Sequence, residues 1–178
     1  PNSEVPLVRR KIAEVMARSG LDPTGHDGKA LTAALETYQR DELFQISTVQ
    51  LGEYAALIAG LAERPRLRVL PRIDRFDNFV SVLVYIPRDR YTSEIRALAG
   101  EHLAGRYEGR VSAYYPHFPE GDLVRVHYII GRNGGPTPTP DRLALEQELA
   151  ALTRSFADRL LAVAPDPEKI IAYAHAFP

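Results

Sequence analysis

The sequence predicts an α+β fold in which three short helices precede a four-stranded antiparallel sheet covered by two helices. Two observations support this prediction. Apolar residues recur at helical spacing up to about residue 61, and from residue 67 they alternate with polar residues, as is typical of strands. Prolines and glycines then divide the rest of the chain into elements in the order strand, strand, helix, strand, strand, helix.

The first third of the chain predicts three helices. Apolar residues spaced three or four apart indicate a helix over Val5–Met16, and the Asp-Pro and glycine of residues 21–27 predict a turn. A short second helix follows over residues 30–38. Ser47 begins a capping box, whose glutamine three residues later is expected to reach back to the cap. This box opens a third helix over residues 48–61.

Two strands come next. Residues 67–73 alternate apolar and polar side chains, and Pro71, which has no N–H to donate, predicts that this strand lies at a sheet edge. Residues 74–78 form a turn cluster. Residues 79–86 are apolar on both faces, which predicts a central strand.

The second half of the chain predicts a helix, two more strands and a last helix. Thr92 is a predicted cap for a helix that follows it, and residues 109–118 and 123–130 read as strands. Thr139 is the predicted cap of a last helix that begins at Pro140 and runs to about Val163, because proline is tolerated at the first helical position.

The order of the last six elements is a circular permutation of the split βαβ, or ferredoxin-like, plan. Two helices on one face of the sheet would bury every second residue of the central strand, namely Val80, Val82, Val84 and Ile86. The opposite face, which carries Leu83 and Tyr85, is expected to be open to another domain or subunit.

Composition restricts the possible functions. The 178 residues suffice for one domain with a helical appendage, and the absence of cysteine excludes disulfides, thiolate metal sites and cysteine nucleophiles. A net charge of −1 argues against nucleic acid as a partner. No apolar run is long enough to span a membrane and no signal-peptide pattern is present, so we expect a cytoplasmic protein without a membrane partner. Both ends look cut, which suggests a piece of a longer polypeptide.

The loop after the central strand is the candidate site. Arg88, Asp89, Arg90 and Tyr91 lie where that strand leads into a helix N-terminus, a place that favours anions. Arginine also offers planar donors for a carboxylate. We predict that these four residues contact an effector or form an interface. The alternative is a solvated or internally paired loop.

Catalytic signatures are absent from the sequence. The glycine run of residues 131–135 is followed by prolines rather than by a helix, and no Walker, G-x-S-x-G or H-E-x-x-H motif occurs. The five histidines show no metal-ligand spacing. We therefore predict no catalytic, cofactor-binding or metal-binding residue. A free-standing ferredoxin-like domain that binds nucleic acid or a ligand is the alternative function, although no RNA-recognition consensus accompanies the strand tyrosines.

Several segments together resemble one enzyme family. They are HDGKAL (His26–Leu31), LETYQRDELFQI (Leu35–Ile46), the run Arg64–Arg96 with its FVSVLVYIPRDRY, LVRVHYII (Leu123–Ile130) and YAHAFP (Tyr173–Pro178). They resemble the N-terminal region of the large bacterial NAD-specific glutamate dehydrogenases, in which ACT-like regulatory modules and helical segments precede the dehydrogenase domain.

The resemblance implies a parent enzyme that oxidatively deaminates L-glutamate to 2-oxoglutarate and ammonia with NAD. Within this chain it implies a helical segment over residues 1–63, a permuted ACT-like domain over residues 64–164 and a linker to the next domain over residues 165–178. The substrate-binding and cofactor-binding motifs of the dehydrogenase have no match here. We therefore expect a non-catalytic regulatory or assembly module, with NAD bound only elsewhere in the parent.

The resemblance also implies partners. These are the other domains and subunits of the same enzyme, and an amino-acid effector is a further candidate, because ACT domains commonly bind amino acids near the loop after their first strand. In the permuted order that loop is Pro87–Tyr91. It departs from the usual pattern, since it has a proline and three charged residues where a glycine would let the backbone approach a ligand.

Overall fold

The computed structural model describes residues 2–163 and, within the last helix, side chains up to residue 154 and that of Phe156. The chain forms two compact units, Pro1–Pro65 and Arg66–Pro178, which we call the helical unit and the sheet unit. The predicted linker over residues 165–178 lies outside the described residues.

The helical unit contains four α-helices after a short 3-10 turn at Asn2–Glu4. They are α1 (Pro6–Ser19), α2 (His26–Thr37), α3 (Arg40–Leu43) and α4 (Thr48–Ala59). Helix α3 is a single turn that the sequence did not predict, because four residues are too few to show a period. Helix α2 begins inside the stretch predicted to be a turn, four residues before the predicted start.

Capping chemistry fixes the start of α4. The Ser47 hydroxyl accepts a hydrogen bond from the Gln50 amide at 3.2 Å, which confirms Ser47 as the cap. The Gln50 side chain also donates to the Tyr54 hydroxyl, at 3.1 Å.

The sheet unit has the predicted α+β architecture in the permuted order. Its elements are β1 (Arg68–Ile73), β2 (Phe79–Pro87), a 3-10 turn (Arg88–Arg90), α5 (Ser93–Arg106), β3 (Arg110–His117), β4 (Leu123–Gly131) and α6 (Arg142–Val163). The strands are antiparallel in the order β1-β2-β4-β3. β2 is therefore central and β1, which contains Pro71, lies at an edge, as predicted.

The core of the sheet unit lies between the sheet and its two helices. The alternate residues Val80, Val82, Val84 and Ile86 are fully buried, and they pack in one cluster with α5, α6 and β4. The sequence thus identified the helix-covered face correctly. The start of α6 differs from the prediction: the Asp141 carboxylate caps it by accepting from the Ala144 amide at 2.9 Å, two residues after Thr139.

The opposite face of the sheet is buried at its central strand. Leu83 is 1% exposed and Tyr85 8% exposed, whereas Tyr115, which lies on the same face of the edge strand β3, is 59% exposed. The expectation that another domain or subunit pairs with this face stays a prediction. Polar groups on this face are satisfied locally: the Ser81 hydroxyl and His127 Nε2 share a hydrogen bond of 2.7 Å. Alternation in a sequence shows which residues share a face, but it does not show whether that face is covered.

Candidate functional site

The candidate loop lies between the buried strand β2 and helix α5. Residues Arg88–Arg90 form one 3-10 turn, and Tyr91 returns the backbone to an extended conformation before the helix. The Thr92 hydroxyl accepts from the Ile95 amide at 3.1 Å and caps α5, as predicted. The structure therefore fixes the loop at both ends, and its four candidate residues have three different environments.

Arg88 forms hydrogen bonds with another loop of the same chain. Its backbone amide donates to the Asp122 carbonyl at 2.8 Å. Its guanidinium donates to the carbonyl of Gly121 from Nε at 3.0 Å, and to that of Pro119 from a terminal nitrogen at 2.5 Å. Three hydrogen bonds thus join Arg88 to the turn between β3 and β4. Two of its five guanidinium N–H donors are thus occupied by backbone oxygens.

Tyr91 is a core residue. It is 8% exposed, and its ring meets the ring of Phe118 edge-on, with centroids 5.3 Å apart. Burial raises the pKa of the Tyr91 phenol, and the nearby Arg96 opposes that rise. The predicted site residue therefore packs beneath the surface, while Phe118, which packs on it, is 40% exposed.

Asp89 and Arg90 are exposed. Among residues 2–163, neither side chain forms a hydrogen bond or an ion pair with another. The loop therefore presents two adjacent opposite charges to solvent. Arg88 and Tyr91, on either side of them, attach the loop to the rest of the sheet unit.

The start of α5 already carries a carboxylate. Glu94 lies in its first turn. The hydrogen bond from its own backbone amide, followed by that of the Thr92 hydroxyl, lowers the pKa of the Glu94 carboxyl. The partial positive charge of the helix start is therefore partly neutralised, and an incoming anion would meet a negative neighbour.

Sequence reasoning missed a cluster beside the loop that is centred on Arg96. The guanidinium carbon of Arg96 lies 4.1 Å from the ring centroid of Tyr114, and the Tyr128 hydroxyl donates to the Arg96 carbonyl at 2.8 Å. Burial raises the pKa of Tyr128. Tyr114 itself is 44% exposed. The only signal in the sequence was the position of Arg96 one turn after the predicted cap.

The loop and its neighbours present both charged and aromatic side chains. Asp89, Arg90, Tyr114 and Phe118 are exposed, Arg96 is half-buried and Tyr91 is buried. Within the described part of the chain, no group of three or more histidine, aspartate or glutamate side chains could hold a metal ion. No helix in that part is both long and apolar enough to cross a bilayer.

Comparisons with known proteins give the family. Residues 68–157 match the glutamate dehydrogenase ACT2 domain, and residues 5–64 match glutamate dehydrogenase helical motif 1. Among the similar proteins are three named NAD-specific glutamate dehydrogenase. That of Halomonas elongata is 38% identical over 157 residues, that of Pseudomonas aeruginosa 35% over 156, and that of Mycobacterium tuberculosis 29% over 173.

These alignments cover most of the chain but little of the relatives. They include 88%, 88% and 90% of this chain, and 10%, 10% and 11% of the respective relatives. The chain thus spans about a tenth of the length of the curated proteins that it matches. The helical motif 1 match falls in the helical unit, and the ACT2 match falls in the sheet unit. On these matches and the similar proteins, the chain belongs to the NAD-specific glutamate dehydrogenase family.

Proposed function

We propose that this chain is a non-catalytic assembly and regulatory module of a large NAD-dependent glutamate dehydrogenase. The whole enzyme would convert L-glutamate, NAD and water to 2-oxoglutarate, ammonia and NADH, with NAD bound outside this chain. The direct role of the module would be to join domains or subunits. Its contact surface would be the corner formed by the loop after β2.

One observation carries this proposal. Asp89 and Arg90 are exposed and have no hydrogen-bonding or ionic partner within residues 2–163, and they stand on a loop that the Arg88 hydrogen bonds hold rigidly. Exposed aromatic rings at Tyr114 and Phe118 adjoin it. A charged pair beside aromatic side chains on a rigid base is typical of a protein–protein contact, in which aromatic residues and arginine are enriched.

The same geometry gives less support to an amino-acid effector. Binding the α-carboxylate of an effector would need free donors, but two N–H groups of Arg88 already donate to carbonyls and the Arg96 guanidinium lies against the Tyr114 ring. Glu94 would also repel a carboxylate at the helix start. We therefore place the contact role first and the sensor role second.

The contact role is tested by an Asp89→Ala/Arg90→Ala double variant in the full-length enzyme. We expect altered assembly, measured by sedimentation velocity, or altered dependence of the rate on glutamate concentration, because the two charges would lose their partners across the contact. Glu101→Ala/Arg154→Ala is a matched control, since both residues are exposed and lie on the helices of the same unit. An unchanged sedimentation profile together with unchanged kinetics would contradict the proposal.

The sensor role is tested by calorimetry of the 178-residue chain with aspartate, arginine and glutamate. The absence of heat at millimolar ligand would remove this role and leave the contact role untouched. A gel shift at low salt tests the alternative of nucleic-acid binding, which the net charge of −1 disfavours.

A further inference from the structure

The helical unit contains an open groove of about 810 Å³ that no part of the proposed function uses. Helices α1, α2 and α4 line it together with the residues that follow α1 and α4. Its volume lies within the usual range of binding sites, and ten of its 17 lining residues are aliphatic or glycine. The aliphatic lining residues include Val15, Leu21, Ala30, Leu31, Val49 and Ala56.

The groove follows the length of one helix. Lining residues of α4 and its end extend from Thr48 to Gly60, which at 1.5 Å per residue is about 18 Å. Along this line the side chains are small, at Gly52, Ala56, Ala59 and Gly60. Small side chains let the backbone of a second helix approach closely, and about 18 Å matches roughly three helical turns.

Two larger apolar side chains on the lining are exposed. Leu21 is 37% exposed and Val49 57% exposed. Both side chains line the same groove, so their exposed apolar surface belongs to it. Exposed apolar surface in a groove is typical of a docking site.

The charges on the lining select the kind of partner. Three carboxylates, those of Asp27, Glu53 and Glu63, stand against Arg18 and the imidazole of His26, whose Nδ1 atom lies 3.4 Å from Asp27 and 3.9 Å from Glu63. The Nε atom of Arg18 lies 3.4 Å from a carboxylate oxygen of Glu14, which further offsets its charge. The lining is therefore net negative, and a partner with positive charges beside an apolar stripe complements it.

We propose that this groove binds an amphipathic α-helix of about three turns whose apolar stripe is flanked by lysine or arginine. The helix would come from another part of the same enzyme, since the relatives are about ten times longer than this chain. A docked helix would bury Leu21 and Val49 and pack its stripe on the small residues of α4. This inference does not depend on the role proposed for Asp89 and Arg90.

A binding experiment on the 178-residue chain tests this inference. The probe is a synthetic 14-residue helix of leucine and lysine in an amphipathic pattern, and the matched probe has glutamate in place of every lysine. We expect saturable binding of the basic peptide, with NMR amide shifts confined to groove residues such as Ala30 and Gly52. The acidic peptide should bind at least roughly tenfold more weakly.

Two variants locate the contact. Ala56→Trp places a large side chain in the groove and should weaken binding of the basic peptide by roughly tenfold or more. Ala33→Trp is the control, because Ala33 is an exposed helical alanine outside the groove and its substitution should change affinity less than about twofold. Thermal unfolding of both variants verifies that they are folded.

Three results would overturn the inference. They are the absence of saturable binding, equal affinity for the two peptides, and binding that Ala56→Trp leaves intact. A further contrary result would be a concentration-dependent dimer of the unmodified chain that Ala56→Trp abolishes in sedimentation. In that case the occupant of the groove is a second copy of this chain.

Discussion

The Nε atom of Arg88 donates a hydrogen bond to the carbonyl oxygen of Gly121 at 3.0 Å, across 33 residues of sequence. This bond and its companion to the Pro119 carbonyl attach the loop after β2 to the turn between β3 and β4. Gly121 has a φ of +108°, a conformation that favours glycine, so the carbonyl is presented by a turn that other residues would strain. Arg88 thus holds the loop in place, and Asp89 and Arg90 are the side chains that this loop exposes to solvent.

Arg88→Ala should therefore lower the free energy of unfolding of the chain, by about 1–2 kcal/mol, because carbonyls lose a charged donor. Since the site is exposed, water replaces part of the lost interaction and keeps the cost small. Urea denaturation measures it. Arg90→Ala is the matched control, expected to change stability by less than about 0.5 kcal/mol. Equal effects of the two substitutions would contradict the different roles assigned to these arginines.

Gly28→Ala should destabilise the helical unit, by about 3 kcal/mol. A β-carbon on Gly28 would stand 2.0 Å from the carbonyl oxygen of Asp22 and 2.9 Å from the Cα of Pro23, and both are backbone atoms that cannot move alone. The glycine of the HDGKAL segment is thus required by the close approach of the preceding turn. Thermal or urea unfolding measures the loss.

Gly105→Ala is the control for Gly28→Ala. Gly105 is also a helical glycine, in α5, but a β-carbon there would meet nothing within 4 Å. Alanine should therefore raise stability, by about 0.5–1 kcal/mol, because it restricts the unfolded chain and favours the helix. A destabilising Gly105→Ala, or a neutral Gly28→Ala, would be inconsistent with these packing geometries.

What the sequence could and could not predict follows from the range of the interactions. The caps at Ser47 and Thr92 were predictable because a hydroxyl and an amide three residues away decide them. The helix-covered face of β2 was predictable because its period is local. The hydrogen bonds of Arg88 span 31 and 33 residues, and the contact between Arg96 and Tyr114 joins a helix to an edge strand. No local pattern in the sequence encodes such contacts. The sequence therefore could not distinguish the two residues that attach the loop, Arg88 and Tyr91, from the two that it exposes, Asp89 and Arg90.

Glu146→Ala should be among the most damaging substitutions in the sheet unit. The Glu146 carboxylate pairs with the Arg68 guanidinium at 2.8 Å and accepts from the Val69 amide at 3.2 Å, and both side chains are 10% exposed. Removing the carboxylate leaves a buried cation and a buried amide without this acceptor, at a cost of about 3–5 kcal/mol. Glu148→Ala, which removes a more exposed partner of His102, should cost less than about 1 kcal/mol. Urea denaturation measures the free energy of unfolding of both variants. Equal losses would contradict the inference that burial makes the Glu146 contacts the more stabilising ones.

Stability should fall as pH rises above about 10, and Tyr128 should contribute to that fall. Burial raises the pKa of the Tyr128 phenol above its ordinary value of 10.0. Above pH 10 the unfolded chain therefore loses this proton while the folded chain keeps it. The stability that the raised pKa represents is fully present below pH 10. Above pH 10 it is lost, by about 1.4 kcal/mol per pH unit for one tyrosine.

Tyr128→Phe isolates this contribution. The variant should be less stable at pH 7, by about 1 kcal/mol, because it loses the hydrogen bond to the Arg96 carbonyl. It should also lose stability less steeply above pH 10, where Tyr85 and Tyr91, whose pKa values burial also raises, still contribute. Urea unfolding between pH 7 and pH 11, followed by circular dichroism, measures both effects. Parallel pH profiles for the variant and the unmodified chain would show that Tyr128 ionises equally in the folded and unfolded states.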